Sequence, residues 1–396
     1  MEGRRRDTAI RDDRDEPAAP ESLARADWRT IAGILAALVF AFLSLGFVFT
    51  VLPLYVRGPV GASNGVVGFV MGATGAAAFV SRPFAGRLAE RRGRRNVMVA
   101  GCALVALAGV LYHLPAGLPG LFAARLVLGV GEAAVFTAAA VWIVSMAPPD
   151  RRGQLVGFAG LAMWTGFTVG PVVGGIVLER WSFGTVWTLS AVAPLVGALV
   201  ATFVPDPHER VESERGALLP AVVVRPGAAL ALAAIGYATL NGFIVLFLRS
   251  RDIGEFGRWT LFAYGATYVG TRVLAGRLPD RLGPQRVALW SGVVEAAGLV
   301  VIATATEPWT AIAGGLVMGA GFSLLYPSLA LIVVQQAQPA EQGAALGAYT
   351  SFWDLGLLVG QPTAGLLIDG VGYPGAFVAS AALACVAAAL AFSDRS

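Results

Sequence analysis

Four ionisable residues stand out because the stretches around them are built from Ala, Val, Leu, Gly and Phe: Arg125, Glu132, Glu295 and Asp354. A charge at the centre of a membrane helix costs about 2.5–3.5 kcal/mol on insertion scales, so each is a candidate for function before packing. Arg125 and Glu132 are seven residues apart, two helical turns, and share one helix face. Arg stays charged at any working pH, whereas a carboxylate titrates. The two therefore divide into a field-setting residue, Arg125, and a proton site, Glu132, with a purely structural ion pair as the rival reading. Asp354 shares its face with Thr350 and Gln361, a polar stripe on an apolar helix. It is expected to carry a proton or to meet a cationic solute, with helix-to-helix hydrogen bonding as the alternative.

The chain that must position these groups has 396 residues, 56% hydrophobic and 14% charged, against roughly 25% charged in a soluble domain. A spanning helix needs about 20 mostly apolar residues. Twelve such runs are read, near 30–56, 64–82, 97–115, 118–146, 154–178, 184–204, 227–248, 259–275, 287–305, 309–334, 343–367 and 374–392. The expected fold is an all-α integral membrane protein in contact with lipid. The first run is too long for a signal peptide and reads as a retained helix. Residues 1–29 mix Arg, Asp, Glu, Pro and Ser and read as a disordered tail. Cys102 and Cys385 lie in apolar runs and make no disulfide framework. His113 and His208 lie in or near loops, and no HExxH occurs, so an enzyme, a metal and a cofactor are not expected.

The net charge is +4, and every basic residue is Arg. The Arg residues cluster at connections following even-numbered runs: Arg82 to Arg95, Arg151 and Arg152, Arg210 to Arg225, and Arg272 to Arg286. The other side has only Arg57, Arg180, Arg249, Arg251 and Arg258. By the positive-inside rule, both termini are expected on the cytoplasmic side of the cell membrane. The positive charge thus reports topology and not nucleic-acid binding.

Laid over itself, the chain repeats. AGRLAERRGRR from Ala85 meets AGRLPDRLGPQ from Ala275, an offset of 190 residues, and the same offset pairs Arg125–Ser145 with Gly315–Gln335 and Gly153–Gly175 with Gly343–Gly365. Two homologous six-helix halves are expected, residues 30–204 and 227–396, joined by a charged linker at 205–226. Function should live where the halves differ. Arg125 falls opposite Gly315, Glu132 opposite Phe322, Trp164 opposite Asp354 and Glu295 opposite Val105.

The segment Gly86-Arg87-Leu88-Ala89-Glu90-Arg91-Arg92-Gly93 resembles the loop signature between helices 2 and 3 of the major facilitator superfamily, with Glu90 where Asp is usual. Gly276-Arg277-Leu278-Pro279-Asp280-Arg281-Leu282-Gly283 is its counterpart between helices 8 and 9, with Pro284 and Gln285 replacing the basic pair. The resemblance implies a midplane substrate site between the halves and alternating access by rocking. It makes Gly86, Glu90, Arg91, Gly93, Gly276, Asp280, Arg281 and Gly283 gating residues, whose carboxylate contacts hold one face closed and break when it opens. Arg125-Leu126-Val127-Leu128-Gly129 resembles the family's helix-4 signature, whose Arg is associated with proton coupling. Gly166, Gly170, Pro171, Gly174 and Gly175 resemble the helix-5 signature of the drug:proton antiporters and are read as a pivot and proton seal between the halves.

Phe136, Tyr237, Asn241, Phe322, Tyr326, Trp353 and Gln361 are expected to line the cavity. Because the family puts its ninth helix on the outside, Glu295 is read as structural or lateral. The expectation is a monomeric exporter of a small amphipathic organic compound in exchange for protons. Export of sugars or siderophore-like metabolites, and a non-transporting receptor or scaffold, stand as alternatives.

Overall fold

The structure is a computed structural model that describes residues 25–114, 116–147, 151–206, 220–338 and 341–393. Most of the tail expected at 1–29, and most of the linker at 205–226, lie outside these residues. Twelve α-helices carry the described chain, with no strand among these residues. The first six are α1 Arg25–Arg57, α2 Asn64–Arg92, α3 Arg94–Leu111, α4 Gly117–Met146, α5 Arg152–Arg180 and α6 Phe183–Thr202. The rest are α7 Ala221–Arg249, α8 Gly257–Ala275, the short α9 Leu278–Leu282, α10 Pro284–Ala303, α11 Pro308–Gln336 and the 51-residue α12 Gln342–Phe392.

The eleventh and twelfth expected spans both lie in α12, divided at Gly372, whose φ of 78° is the left-handed region that favours glycine. Ten helices among the described residues are long and apolar enough to cross a membrane, α12 counting once. The less apolar α8 is not among them but packs inside the same assembly. Helix α7 begins six residues before the span expected from 227, taking in the end of the stretch read as linker.

Two six-helix bundles result. In the first, α1 packs on α5 and α6, and α4 on α2 and α3; in the second, α12 packs on α7 and α10, and α11 on α8 and α10. Lipid supplies no hydrophobic drive between helices, so close packing of small residues and interhelical hydrogen bonds hold such bundles. Ser44 Oγ donates to the Ser190 carbonyl at 2.6 Å, tying α1 to α6, and the Thr239 and Ser380 hydroxyls bond at 2.8 Å within the second bundle. Matched glycines turn the chain at the signature loops: Gly93 (φ 95°) joins α2 to α3, and Gly283 (φ 88°) joins α9 to α10.

Between the bundles, α2 meets α12, α5 meets α8, and α1 meets α7. These contacts bring together residues that the sequence keeps hundreds of positions apart.

Candidate functional site

Asp354, fully buried on α12, receives both prongs of a guanidinium from the other bundle. Arg82 Nε donates to Oδ2 at 2.6 Å and Nη2 to Oδ1 at 2.7 Å. The fork matches the carboxylate plane, which makes this the strong form of a charge-assisted bond. The Arg82 guanidinium also lies 5.8 Å from the centre of the Phe136 ring. By sequence Arg82 groups with the charges of the connections, but α2 continues to Arg92, and Arg82 lies well inside it, buried. A signal exists in the repeat: at the 190 offset Arg82 matches Arg272, so both halves keep an Arg four residues before the loop glycine.

A small cavity lies between the bundles beside this pair. Arg125, Glu132, Tyr237, Asn241, Trp353 and Gln361 all line it, as do Phe49 and Phe167. Arg125 and Glu132 do share the cavity-facing side of α4, yet they form no ion pair. Arg125 Nη2 donates to the Met71 carbonyl at 2.8 Å, while its Nε and Nη1 are buried without a hydrogen-bond partner among the described residues. Glu132 is also buried, has no hydrogen-bond partner among the described residues, and feels the charges of Asp354, Arg82 and Arg125. The rival reading of a structural Arg125–Glu132 pair therefore does not describe this structure.

The polar stripe on α12 divides three ways. Thr350 and the Tyr326 hydroxyl bond at 3.0 Å, Asp354 takes Arg82, and Gln361 Nε2 donates to Asn241 Oδ1 at 2.8 Å. Trp164, at the repeat position of Asp354, also reaches across the interface, but through rings. It stacks on Tyr268 at 3.9 Å between centres and meets Tyr237 at 5.3 Å and Trp353 at 6.1 Å. Phe322 joins this cluster through Trp353 at 5.5 Å.

The cross-bundle contacts continue from mid-depth to the face where α2 begins. There the Asp369 carboxylate accepts from the Asn64 amide at 3.2 Å, the Gly65 amide at 2.8 Å and Asn64 Nδ2 at 2.9 Å. At the repeat position of Asp369, Glu179 pairs with Arg258 at 2.5 Å. Toward the Arg-rich face, where α2 ends, the first turns of α5 and α12 carry glycines that nothing packs against. An added Cβ at Gly153, Gly157, Gly160, Gly343 or Gly347 would meet open space.

Two bundles of six spans, matched loops and a cavity at their interface are the architecture the loop signatures implied. The Major Facilitator Superfamily profile matches residues 34–257 and 227–396. The chain belongs to the major facilitator superfamily. It is 34% identical over 360 residues to the uncharacterized MFS-type transporter YhhS of Escherichia coli K12, covering 88% of each chain. It is 30% identical over 371 residues to the uncharacterized MFS-type transporter STM4428 of Salmonella typhimurium, covering 91% of this chain and 95% of that one. Among solved structures, a point mutant of the nucleoside transporter NupG superposes with a TM-score of 0.78 at 14% identity, over 93% of this chain and 100% of that one. A bacterial homologue of the human lysosomal transporter Spinster superposes with a TM-score of 0.79 at 13% identity, over 94% and 98%. The protein is thus a major facilitator transporter and not an enzyme.

In this transporter the two signature loops lie on that Arg-rich face. Glu90 and Asp280 make no ion pair among the described residues, and Arg91 and Arg281 are exposed. Arg94 and Arg95 instead hold the end of the first bundle: the Arg95 amide donates to Asp206 at 3.0 Å, and Arg94 lies 3.8 Å from the same carboxylate. Gly86 needs no close approach, since an added Cβ would meet Thr137 at an ordinary 3.7 Å, whereas at Gly276 it would strike the Arg272 carbonyl.

The helix-5 glycines require a correction. Gly166, Gly170 and Gly174 lie against the backbone of α1 at Phe42, Gly46 and Phe47, inside their own bundle, so they are no seal between the halves. The Pro171 carbonyl likewise accepts from Thr50 of α1 at 3.2 Å. Of the motif's four glycines, Gly175 alone faces the other bundle, at Arg258. Glu295 points inward and not toward the flank: it is fully buried, and an added Cβ on Gly236 of α7 would lie 2.7 Å from its Oε1.

Proposed function

We propose that this transporter exports a small amphipathic organic compound in exchange for protons, by rocking residues 30–204 against 227–396 about the 205–226 linker, as a monomer with both termini in the cytoplasm. The observation that carries the reading is the buried Arg82–Asp354 fork joining the two halves, with Glu132, which has no hydrogen-bond partner among the described residues, near it. A proton on Asp354 removes the charge that the fork needs, so proton binding and interface closure are coupled through one carboxylate. Glu132 is the acid on which solute and proton compete. Competition of that kind makes the two travel in opposite directions, because each can leave only when the other replaces it. With the Arg-rich face cytoplasmic, the open space at the glycines of that face fits an inward-facing state, and Glu90 and Asp280, without an ion pair among the described residues, fit a gate that has opened. The resemblance to the antiporters' helix-5 signature supports the same direction of exchange.

The deciding experiment is flux in proteoliposomes under an imposed pH gradient, with a panel of lipophilic cations, anions and neutral compounds. Asp354→Asn keeps size and hydrogen bonding while removing titration, and should abolish pH-driven movement. Concentration of a compound against its gradient by Asp354→Asn as well as by the unaltered protein would refute the coupling role. Movement confined to sugars or siderophore-like metabolites would favour that cargo, and no movement of any compound would favour a scaffold.

A further inference from the structure

The cavity holds two opposite charges that do not satisfy each other. Arg125 is buried with Nε and Nη1 making no well-aligned hydrogen bond among the described residues, Nη2 bonded to the Met71 carbonyl, and the neutral Tyr112 hydroxyl beside the guanidinium, so no anion meets it. Glu132 lies on the same face of the same helix, seven residues further on, an axial spacing of about 10 Å. Both line the cavity between the bundles. A buried guanidinium that meets no anion is costly to maintain and presents a planar fork suited to a carboxylate or phosphonate. Glu132 presents the complementary charge, and the other ionisable groups it feels, Arg82 and Asp354, already satisfy each other. Tyr237 and Trp353 line the same cavity and pack on each other at 5.2 Å.

We propose that the solute is a small zwitterion, its anionic group held by the Arg125 fork and its ammonium by Glu132, with an apolar body between the poles against Tyr237 and Trp353. This rests on the exchange reading above and deepens it. An ammonium at Glu132 competes with a proton for the same carboxylate, whereas an anion alone at Arg125 would favour protonated Glu132 and travel with the proton. A zwitterion therefore reconciles an arginine-lined cavity with exchange. A singly charged ligand leaves one pole of the site desolvated and unpaired, so loss of either ligand charge must weaken binding.

The test is equilibrium binding to the purified full-length protein at pH 7, without any gradient, by calorimetry. The probes are 4-(aminomethyl)benzoate, its methyl ester, which keeps only the ammonium, and its N-acetyl derivative, which keeps only the carboxylate. The zwitterion should bind at least tenfold more tightly than either analogue. Arg125→Gln should lower its affinity to that of the ester, Glu132→Gln to that of the N-acetyl compound, and Arg125→Lys should retain part of the preference. Equal binding of either analogue, no binding of any probe, or a preference that survives Arg125→Gln overturns the proposal. Should Arg125→Gln fail to fold, the comparison of probes on the unaltered protein decides. Flux of the same zwitterion under a pH gradient is read separately: preference without pH-driven flux removes the exchange reading and keeps the site, and pH-driven flux without preference does the reverse.

Discussion

The transporter has two interfaces between its bundles that its own repeat makes equivalent, α2 on α12 and α5 on α8, and they are built from different chemistry. On the first, the repeat position holds Asp354, locked by two bonds to Arg82. On the second it holds Trp164, stacked on Tyr268, while the Arg82 equivalent, Arg272, donates Nη1 to the Ser323 carbonyl at 3.1 Å. The outer rims are more alike: Asp369 and Glu179, again repeat partners, each clasp the opposite bundle. Duplication supplied one scaffold twice. A proton can change the charge of a carboxylate but not of an indole, so at mid-depth the first interface holds a group that can respond to pH where the second holds stacked rings.

The largest effect is expected where the comparison is sharpest. Truncating one partner of a buried ion pair costs about 3–5 kcal/mol because the other charge is left unpaired. Arg82→Gln should lose about that much stability in thermal unfolding, and Arg82→Gln with Asp354→Asn should recover part of it. Full stability in Arg82→Gln alone would mean that the fork does not hold the interface.

A smaller effect separates the two matched glycines at these interfaces. Each substitution overpacks a tight contact, at about 1–3 kcal/mol. In Gly75→Ala the new methyl meets the Asp354 carbonyl at 2.8 Å and so moves the backbone that carries the acid; in Gly265→Ala it meets the Thr168 side chain. Gly75→Ala should reduce pH-driven flux, and Gly265→Ala should leave its pH dependence unchanged. Equal pH profiles would erase the distinction.

Trp164→Phe removes the stack on Tyr268 but keeps an apolar ring, a loss of about 0.5–1.5 kcal/mol for the aromatic pair. Flux should remain pH-driven, and a loss of coupling would give the aromatic interface a role it lacks here. The rims should matter least. Glu179, half exposed, contributes about 1 kcal/mol or less through its pair with Arg258, and Asp369, at the start of α2, a similar amount. Glu179→Gln and Asp369→Asn should each raise labelling of a cysteine placed at the outer cavity mouth by less than about tenfold, and a larger rise would move the main lock from mid-depth to the rim.

Sequence by itself determined the membrane class, the spans, the 190-residue repeat and the family, because hydropathy and internal periodicity are local properties that survive in one dimension. It also singled out Arg125, Glu132 and Asp354, since a charge in an apolar run stands out before any partner is known. Tertiary structure alone decided what those charges meet. Asp354 finds Arg82 from 272 residues away, Arg125 and Glu132 share a cavity without pairing, and the helix-5 glycines face α1 instead of the other half. Glu295 likewise faces the bundle interior, where the expected position of its helix had pointed to the flank. The physical reason is that an apolar helix looks much the same all round in sequence. The faces that touch, and the carboxylate that receives a guanidinium, follow from the packing of small residues between helices far apart in the chain.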